Sequence, residues 1–166
     1  MRRLLFSFCL AFLASSPLYA ESEAVSTHGD WSLECSGTNE AESRNCSLVN
    51  RVMDESEDAI QLDVFVWHSV KDHASILQVR APLGVLLTAG LGLKIDNKDI
   101  GSAGFVRCLP EGCFVEMAMD EALIQTFLNG KDALFIVFKS PNEGVGIPVS
   151  MAGFREGYTS LTKAGS

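Results

Sequence analysis

The chain has 166 residues, 47% hydrophobic and 20% charged, which is typical of one globular domain and excludes a disordered or repetitive chain. Lys and Arg number 13 and Asp and Glu number 21, so the formal net charge is −8. A surface that binds phosphates would have to form against this negative field, so we do not expect nucleic acid as a partner.

The first twenty residues have the order of regions found in a secretory signal peptide. Arg2 and Arg3 precede an apolar run from Leu4 to Leu13, and small residues ending in Ala20 follow. The run is about half of the roughly 20 residues that a membrane-spanning helix needs. We therefore predict cleavage after Ala20 and export to the periplasm, with the outer surface or secretion as alternatives. No later apolar run reaches membrane length, so we expect no transmembrane segment after cleavage.

Four cysteines remain once the signal peptide is removed: Cys35, Cys46, Cys108 and Cys113. An even number in an exported chain predicts two disulfides, and sequence distance favours the local pairs Cys35–Cys46 and Cys108–Cys113 among three connectivities. A four-thiolate zinc site is the alternative, but the spacings lack a C-x2-C knuckle. We predict neither a metal nor any other cofactor.

Residues 21–28 are polar and predict a flexible leader, and residues 29–166 predict a single domain. Alternating apolar residues predict a strand at Ile60–Trp67, paired as a hairpin with Ala74–Arg80. Further strands are predicted at Trp31–Cys35, Cys46–Met53, Val85–Thr88, Leu91–Ile95, Cys113–Met117, Ala133–Lys139 and Gly146–Met151. Many short strands without the spacing of βαβ units favour a β-sandwich.

Two short helices are predicted within this β pattern. Asp120 is a suitable N-cap for a helix that ends at Asn129-Gly130. Near the C-terminus, Phe154, Tyr158 and Leu161 recur at helical spacing and indicate a second helix.

No motif in the sequence assembles a catalytic or cofactor-binding site. The glycine-rich stretch from Gly84 to Gly101 lacks both the dinucleotide fingerprint and the P-loop pattern, and no Gly-x-Ser-x-Gly elbow is present. We therefore predict no catalytic residues and a non-catalytic protein. The alternative is a small periplasmic hydrolase, which would require two acidic residues facing one pocket with separated pKa values.

Two features are candidate partner contacts. Phe65 and Trp67 occupy the face of their strand opposite Leu62 and Val64, and such aromatics lie either beneath a helix or loop or in an exposed patch; the pattern favours burial. The acidic residues Asp54, Glu55, Glu57 and Asp58 favour a solvated loop and would otherwise contact a basic partner.

Through a series of short motifs in a fixed order, the sequence resembles the invasion-associated locus B family of exported, chiefly alphaproteobacterial proteins. The motifs are Gly29-Asp30-Trp31, Cys35, Pro82-Leu83-Gly84-Val85, Gly90, Leu93, Ile95-Asp96, Phe105, Cys108, Gly112-Cys113 and Ser150-Met151-Ala152-Gly153-Phe154. The resemblance implies an immunoglobulin-like β-sandwich in the periplasm or at the outer surface. It transfers no catalytic residue, and the family's name comes from host-cell invasion. A disulfide-bonded scaffold with an acidic surface and no convergent catalytic set predicts an interaction module of the cell envelope, with host-cell invasion or an accessory place in an envelope complex as its candidate roles.

Overall fold

The computed structural model describes residues 23–36, 45–53, 60–69, 71 and 74–164. Within these ranges, eleven strands and two α-helices are present. The strands are β1 Glu23–His28, β2 Trp31–Ser36, β3 Asn45–Met53, β4 Gln61–His68, β5 Ser75–Ala81, β6 Leu91–Ile95, β7 Lys98–Ala103, β8 Phe105–Leu109, β9 Gly112–Ala118, β10 Asp132–Ser140 and β11 Glu143–Ser150, and the helices are α1 Glu121–Asn129 and α2 Phe154–Ala164.

The strands form two sheets in which every pair of neighbours is antiparallel. The larger sheet has the order β1-β2-β3-β4-β5-β9-β8, and the smaller has the order β11-β10-β6-β7. The two sheets and two short helices confirm the predicted mainly β fold and its β-sandwich architecture.

Buried and exposed side chains alternate along the strands, and the buried ones form a core between the two sheets. On β4, Leu62, Val64 and Val66 are fully buried, and Phe135 and Val137 on β10 are buried with them in one hydrophobic cluster. Burial of these side chains on one face of each sheet is the main favourable contribution to folding.

The helices close one part of the core. Asp120 accepts a hydrogen bond from the backbone N–H of Leu123 at 2.8 Å, which is the predicted N-cap of α1. On α2, the Phe154 ring meets the Trp31 ring edge to face at 4.9 Å between centroids. Gly157 of α2 lies so close to Leu48 that an added Cβ would be 2.5 Å from its side chain. The helix α2 therefore packs on the core side of the larger sheet.

Three segments differ from the sequence expectations. The predicted flexible leader contains β1, which is held by backbone pairing with β2 and has no apolar period to signal it. The predicted strand at Val85–Thr88 is wrong, because a 3₁₀ turn occupies Leu87–Ala89. Strand β7 was not expected, since most of its side chains are exposed at a sheet edge.

Two disulfides join neighbouring strands. Cys35 on β2 is bonded to Cys46 directly opposite on β3, and Cys108 on β8 is bonded to Cys113 directly opposite on β9. These are the local pairs that sequence distance favours. Each bond links two strands that already share a ladder of hydrogen bonds, so it reinforces an existing hairpin.

Candidate functional site

The candidate site is the outer face of the larger sheet, which points away from the smaller sheet. It is formed by the side chains that alternate with the core residues of β3, β4, β5, β9 and β8, together with Glu34 of β2. These residues are Glu34, Val49, Arg51, Asp63, Phe65, Trp67, Ile76, Gln78, Arg80, Arg107, Phe114 and Glu116.

The two aromatic residues singled out from the sequence lie side by side on this outer face. Phe65 lies opposite Val49 of the neighbouring strand β3, and Trp67 lies opposite Ile76 of the neighbouring strand β5. Both rings are half-buried, so the burial that the sequence pattern favours is only partial. The helix α2 packs on the opposite side of the sheet, against Leu48, and does not cover them. Whether these rings contact a partner stays a prediction.

A row of charged residues crosses the sheet next to the aromatic pair. Arg51, Asp63 and Arg80 lie directly opposite one another on β3, β4 and β5. Asp63 is fully buried, hydrogen-bonded to Arg80, and accepts a second hydrogen bond from Gln61 at 3.2 Å. A buried carboxylate with two donors and a paired cation is tolerated, whereas an unpaired one would be costly.

Arg51 also forms a bidentate ion pair with Glu34 on β2. Its two guanidinium nitrogens donate to the two carboxylate oxygens at 2.5 and 2.8 Å. The paired side chains span the level of Val49, which explains why this outward-facing valine is only 2% exposed. The hydrogen bonds that Arg51 donates to Glu34 are the main cause that raises the pKa of Arg51 above its usual value.

The row continues to the edge of the sheet through β9 and β8. Arg107 donates to Glu116 at 2.9 Å and lies 5.4 Å from the centre of the Phe114 ring, in cation–π geometry. Glu116 also accepts a hydrogen bond from Gln78 at 2.8 Å. These contacts hold Arg107 in a defined position although it lies on an edge strand.

The arginines of the three ion pairs reach further into solvent than the carboxylates. The exposed side-chain fractions of Arg51, Arg80 and Arg107 are 46%, 29% and 52%. Those of their partners Glu34, Asp63 and Glu116 are 12%, 0% and 31%. The outer face therefore presents guanidinium groups beside half-exposed aromatic rings, although the chain as a whole is acidic.

These arginines carry no functional motif that the sequence alone would reveal. Arg51, Asp63 and Arg80 come together through the registers of the consecutive strands β3, β4 and β5, whereas Arg107 joins them only through the pairing of β5 with β9, which is distant in sequence. The acidic residues Asp54, Glu55, Glu57 and Asp58 lie outside the described residues, which resume at Ile60 after the exposed Met53.

In the described ranges, no three His, Cys, Asp or Glu side chains come together as a metal site. Asp96, in the turn between β6 and β7, accepts hydrogen bonds from the backbone N–H groups of Lys131 and Asp132, at 3.0 and 3.1 Å. Its carboxylate therefore holds two parts of the smaller sheet together. Within the segments described, no helix combines the length and apolarity that crossing a bilayer requires.

Comparisons with known proteins agree with this fold. The crystal structure of invasion associated protein B from Bartonella henselae is similar, with a TM-score of 0.69 and 20% identity over 87% of this chain and 97% of that chain. No curated protein sequence matches the chain significantly. The family model described as Invasion associated locus B (IalB) protein matches residues 31–162. Because this match covers most of the sequence, the chain belongs to the IalB family.

Proposed function

We propose that this protein is an exported, non-catalytic interaction module of the cell envelope. It binds a protein or another envelope component through the outer face of the larger sheet. The observation that carries this proposal is the placement of Phe65 and Trp67, half-exposed, beside the guanidinium groups of Arg51 and Arg80.

The residue types of this face support a protein-binding role. Tryptophan, other aromatics and arginine are enriched at the centres of protein interfaces and among the residues that dominate binding energy. The ion pairs with Glu34 and Asp63 fix the arginines before a partner arrives. Fixed side chains lose less conformational entropy on binding, so this arrangement lowers the cost of association.

The disulfides support export. Disulfides persist in oxidising compartments, and both pairs in this chain, Cys35–Cys46 and Cys108–Cys113, close hairpins of the sheet that carries the candidate site. Together with the predicted signal peptide, they favour the periplasm as the working compartment. The name of the Bartonella henselae protein refers to invasion, which is one candidate role for this binding surface, and an accessory role in an envelope complex fits the same surface.

Site-directed photo-crosslinking tests the proposal. A photoreactive phenylalanine analogue is placed at position 67 of the full chain in its native host, and in a matched strain at position 134. Leu134 is also half-buried, but it lies on the outward face of the smaller sheet, opposite the exposed Pro148.

We expect one saturable cross-linked species from position 67 and none from position 134. Identifying the cross-linked partner by mass spectrometry distinguishes a host-cell protein from a subunit of an envelope complex. Equal labelling from both positions would contradict the assignment of this face. Turnover of an ester or cell-wall substrate by the purified protein, abolished by alanine at one acidic pair, would replace the binding module with the hydrolase reading.

A further inference from the structure

A cavity of about 100 Å³ lies inside the sandwich, between β5 and β9 of the larger sheet and β6, β7 and β10 of the smaller one. Its inner wall consists of buried side chains, including Val79, Leu93, Val115 and Phe135. Protein interiors rarely contain voids much larger than a water molecule, so a space of this size needs an explanation.

The explanation lies in β7, the edge strand of the smaller sheet. Gly101, Ser102 and Ala103 line the cavity with the smallest available side chains. The pairing of β6 with β7 shifts register just before Gly101, whose φ of +129° favours glycine. Gly101 and Ser102 are exposed and Ile100 is half-buried, so the cavity is open to solvent along β7.

The lining chemistry disfavours an ordered water molecule deep in the cavity. Among the described residues that line the cavity, only Ser102 carries a polar side chain. A buried water needs two to four polar partners, whereas apolar cavities of similar size stay dry and bind small hydrocarbons. The cavity is smaller than the roughly 150 Å³ apolar cavity that accommodates benzene, so it fits a slender hydrocarbon such as the end of an unbranched chain.

We propose that this cavity binds the end of one unbranched hydrocarbon chain, as found in a free fatty acid or a lipid tail. The methyl end enters from the β7 side and packs against Val79, Val115 and Phe135, and the polar head stays in solvent. This ligand site is separate from the outer face of the larger sheet, so either proposal can fail without the other.

Methyl NMR tests the site directly. The mature, disulfide-bonded protein with ¹³C-labelled Val, Leu and Ile methyl groups is titrated with hexanoate, and with acetate as the control that has the same head group and almost no chain. We expect saturable shifts at Val79, Leu93 and Val115 with hexanoate and none with acetate. The absence of hexanoate shifts, or equal shifts with acetate, would overturn the proposal.

Filling the cavity provides the second test. Val115→Leu should weaken hexanoate binding at least tenfold without lowering the melting temperature. Val64→Leu makes the same change at a buried position outside the cavity lining and should leave hexanoate affinity unchanged. Ala103→Leu narrows the cavity from β7 and gives the same test if Val115→Leu does not fold. Unchanged affinity in a folded filling variant would rule the site out.

The source of the chain is resolved by a parallel titration with dihexanoyl phosphatidylcholine below its micelle concentration. Shifts at the same methyl groups with the phospholipid as well as with hexanoate would indicate a lipid tail. Shifts with hexanoate alone would indicate a free fatty acid. Failure of both ligands to move these resonances would contradict any hydrocarbon site.

Discussion

Trp31 on β2 donates its indole N–H to the backbone carbonyl of Ser150 at the end of β11, 3.0 Å away and 119 residues along the chain. This bond joins the two sheets directly, and Asn50 donates to the same carbonyl at 3.3 Å. Trp31→Phe keeps an aromatic ring against Phe154 but removes the indole donor and leaves unfilled volume. We expect a loss of about 2 kcal/mol in the free energy of unfolding, measured by urea denaturation.

The same substitution at the half-exposed Trp67 is the control, and it should cost less than about 1 kcal/mol because no core contact is lost. A greater loss at Trp67 than at Trp31 would show that the outer face, and not the space between the sheets, carries the main packing energy.

The disulfide pairing can be tested by peptide mapping under non-reducing conditions. We expect peptides that join Cys35 to Cys46 and Cys108 to Cys113. Replacing the first pair by alanines should cost about 3 kcal/mol and replacing the second about 2 kcal/mol, because the first closes the longer loop. A peptide joining Cys35 to Cys108 would refute the pairing.

Removing one partner of the buried ion pair should be more harmful than removing both. Arg80→Met leaves the fully buried Asp63 without its hydrogen-bonded cation, and we expect a loss of about 3 kcal/mol. Adding Asp63→Leu removes the buried carboxylate that has lost its hydrogen-bonded cation, so the double variant should recover a large part of that loss. Urea denaturation of the two single variants and the double variant completes a double-mutant cycle. If the stability loss of the double variant equals the sum of the two single losses, the two residues do not interact.

Acid should reveal the role of Asp96. The backbone N–H groups of Lys131 and then Asp132 lower the pKa of this carboxyl below its usual value. A lowered pKa in the folded state contributes stability above the unfolded pKa of about 3.9, and this contribution is lost as pH falls through the folded value. Asp96→Asn keeps the shape and tolerates the left-handed φ of 49°.

The stability difference between the wild-type protein and Asp96→Asn should therefore be largest near neutral pH and should shrink below about pH 4. Thermal melting at a series of pH values measures it. A difference that grows on acidification would mean that the hydrogen bonds to Lys131 and Asp132 do not favour the charged carboxylate.

A backbone contact holds β1 in the domain. Gly153 has φ of +87°, and an added Cβ would lie 1.9 Å from the carbonyl oxygen of His28 at the end of β1. Gly153→Ala should therefore destabilise the protein by at least about 2 kcal/mol, because both the φ angle and the space are unsuitable. Gly104→Ala, with no neighbour within 4 Å, should change the melting temperature little. Comparable effects of the two substitutions would show that β1 does not pack there.

The sequence predicted those parts of the structure that depend on residues close together in the chain. The hairpin of β4 and β5 and the cap at Asp120 were predictable, since alternation and capping are local properties of the chain. Strand β7 was not predictable, because most of its side chains are exposed and it carries no apolar period. The position of Arg107 beside the charged row and the cavity between the sheets depend on pairing and packing between distant strands, which a single sequence does not specify.

The strand order has a consequence for how quickly the domain forms. Of the nine strand ladders in the described part of the chain, seven join consecutive strands, and only β5–β9 and β6–β10 join strands that are distant in sequence. Hairpins close in microseconds, whereas distant pairings must first overcome the entropy of a long loop. We therefore expect the pairing of β5 with β9 and of β6 with β10 to limit the rate of refolding. Substitutions on β5 or β9 will slow refolding, and substitutions on β1 will mainly speed unfolding.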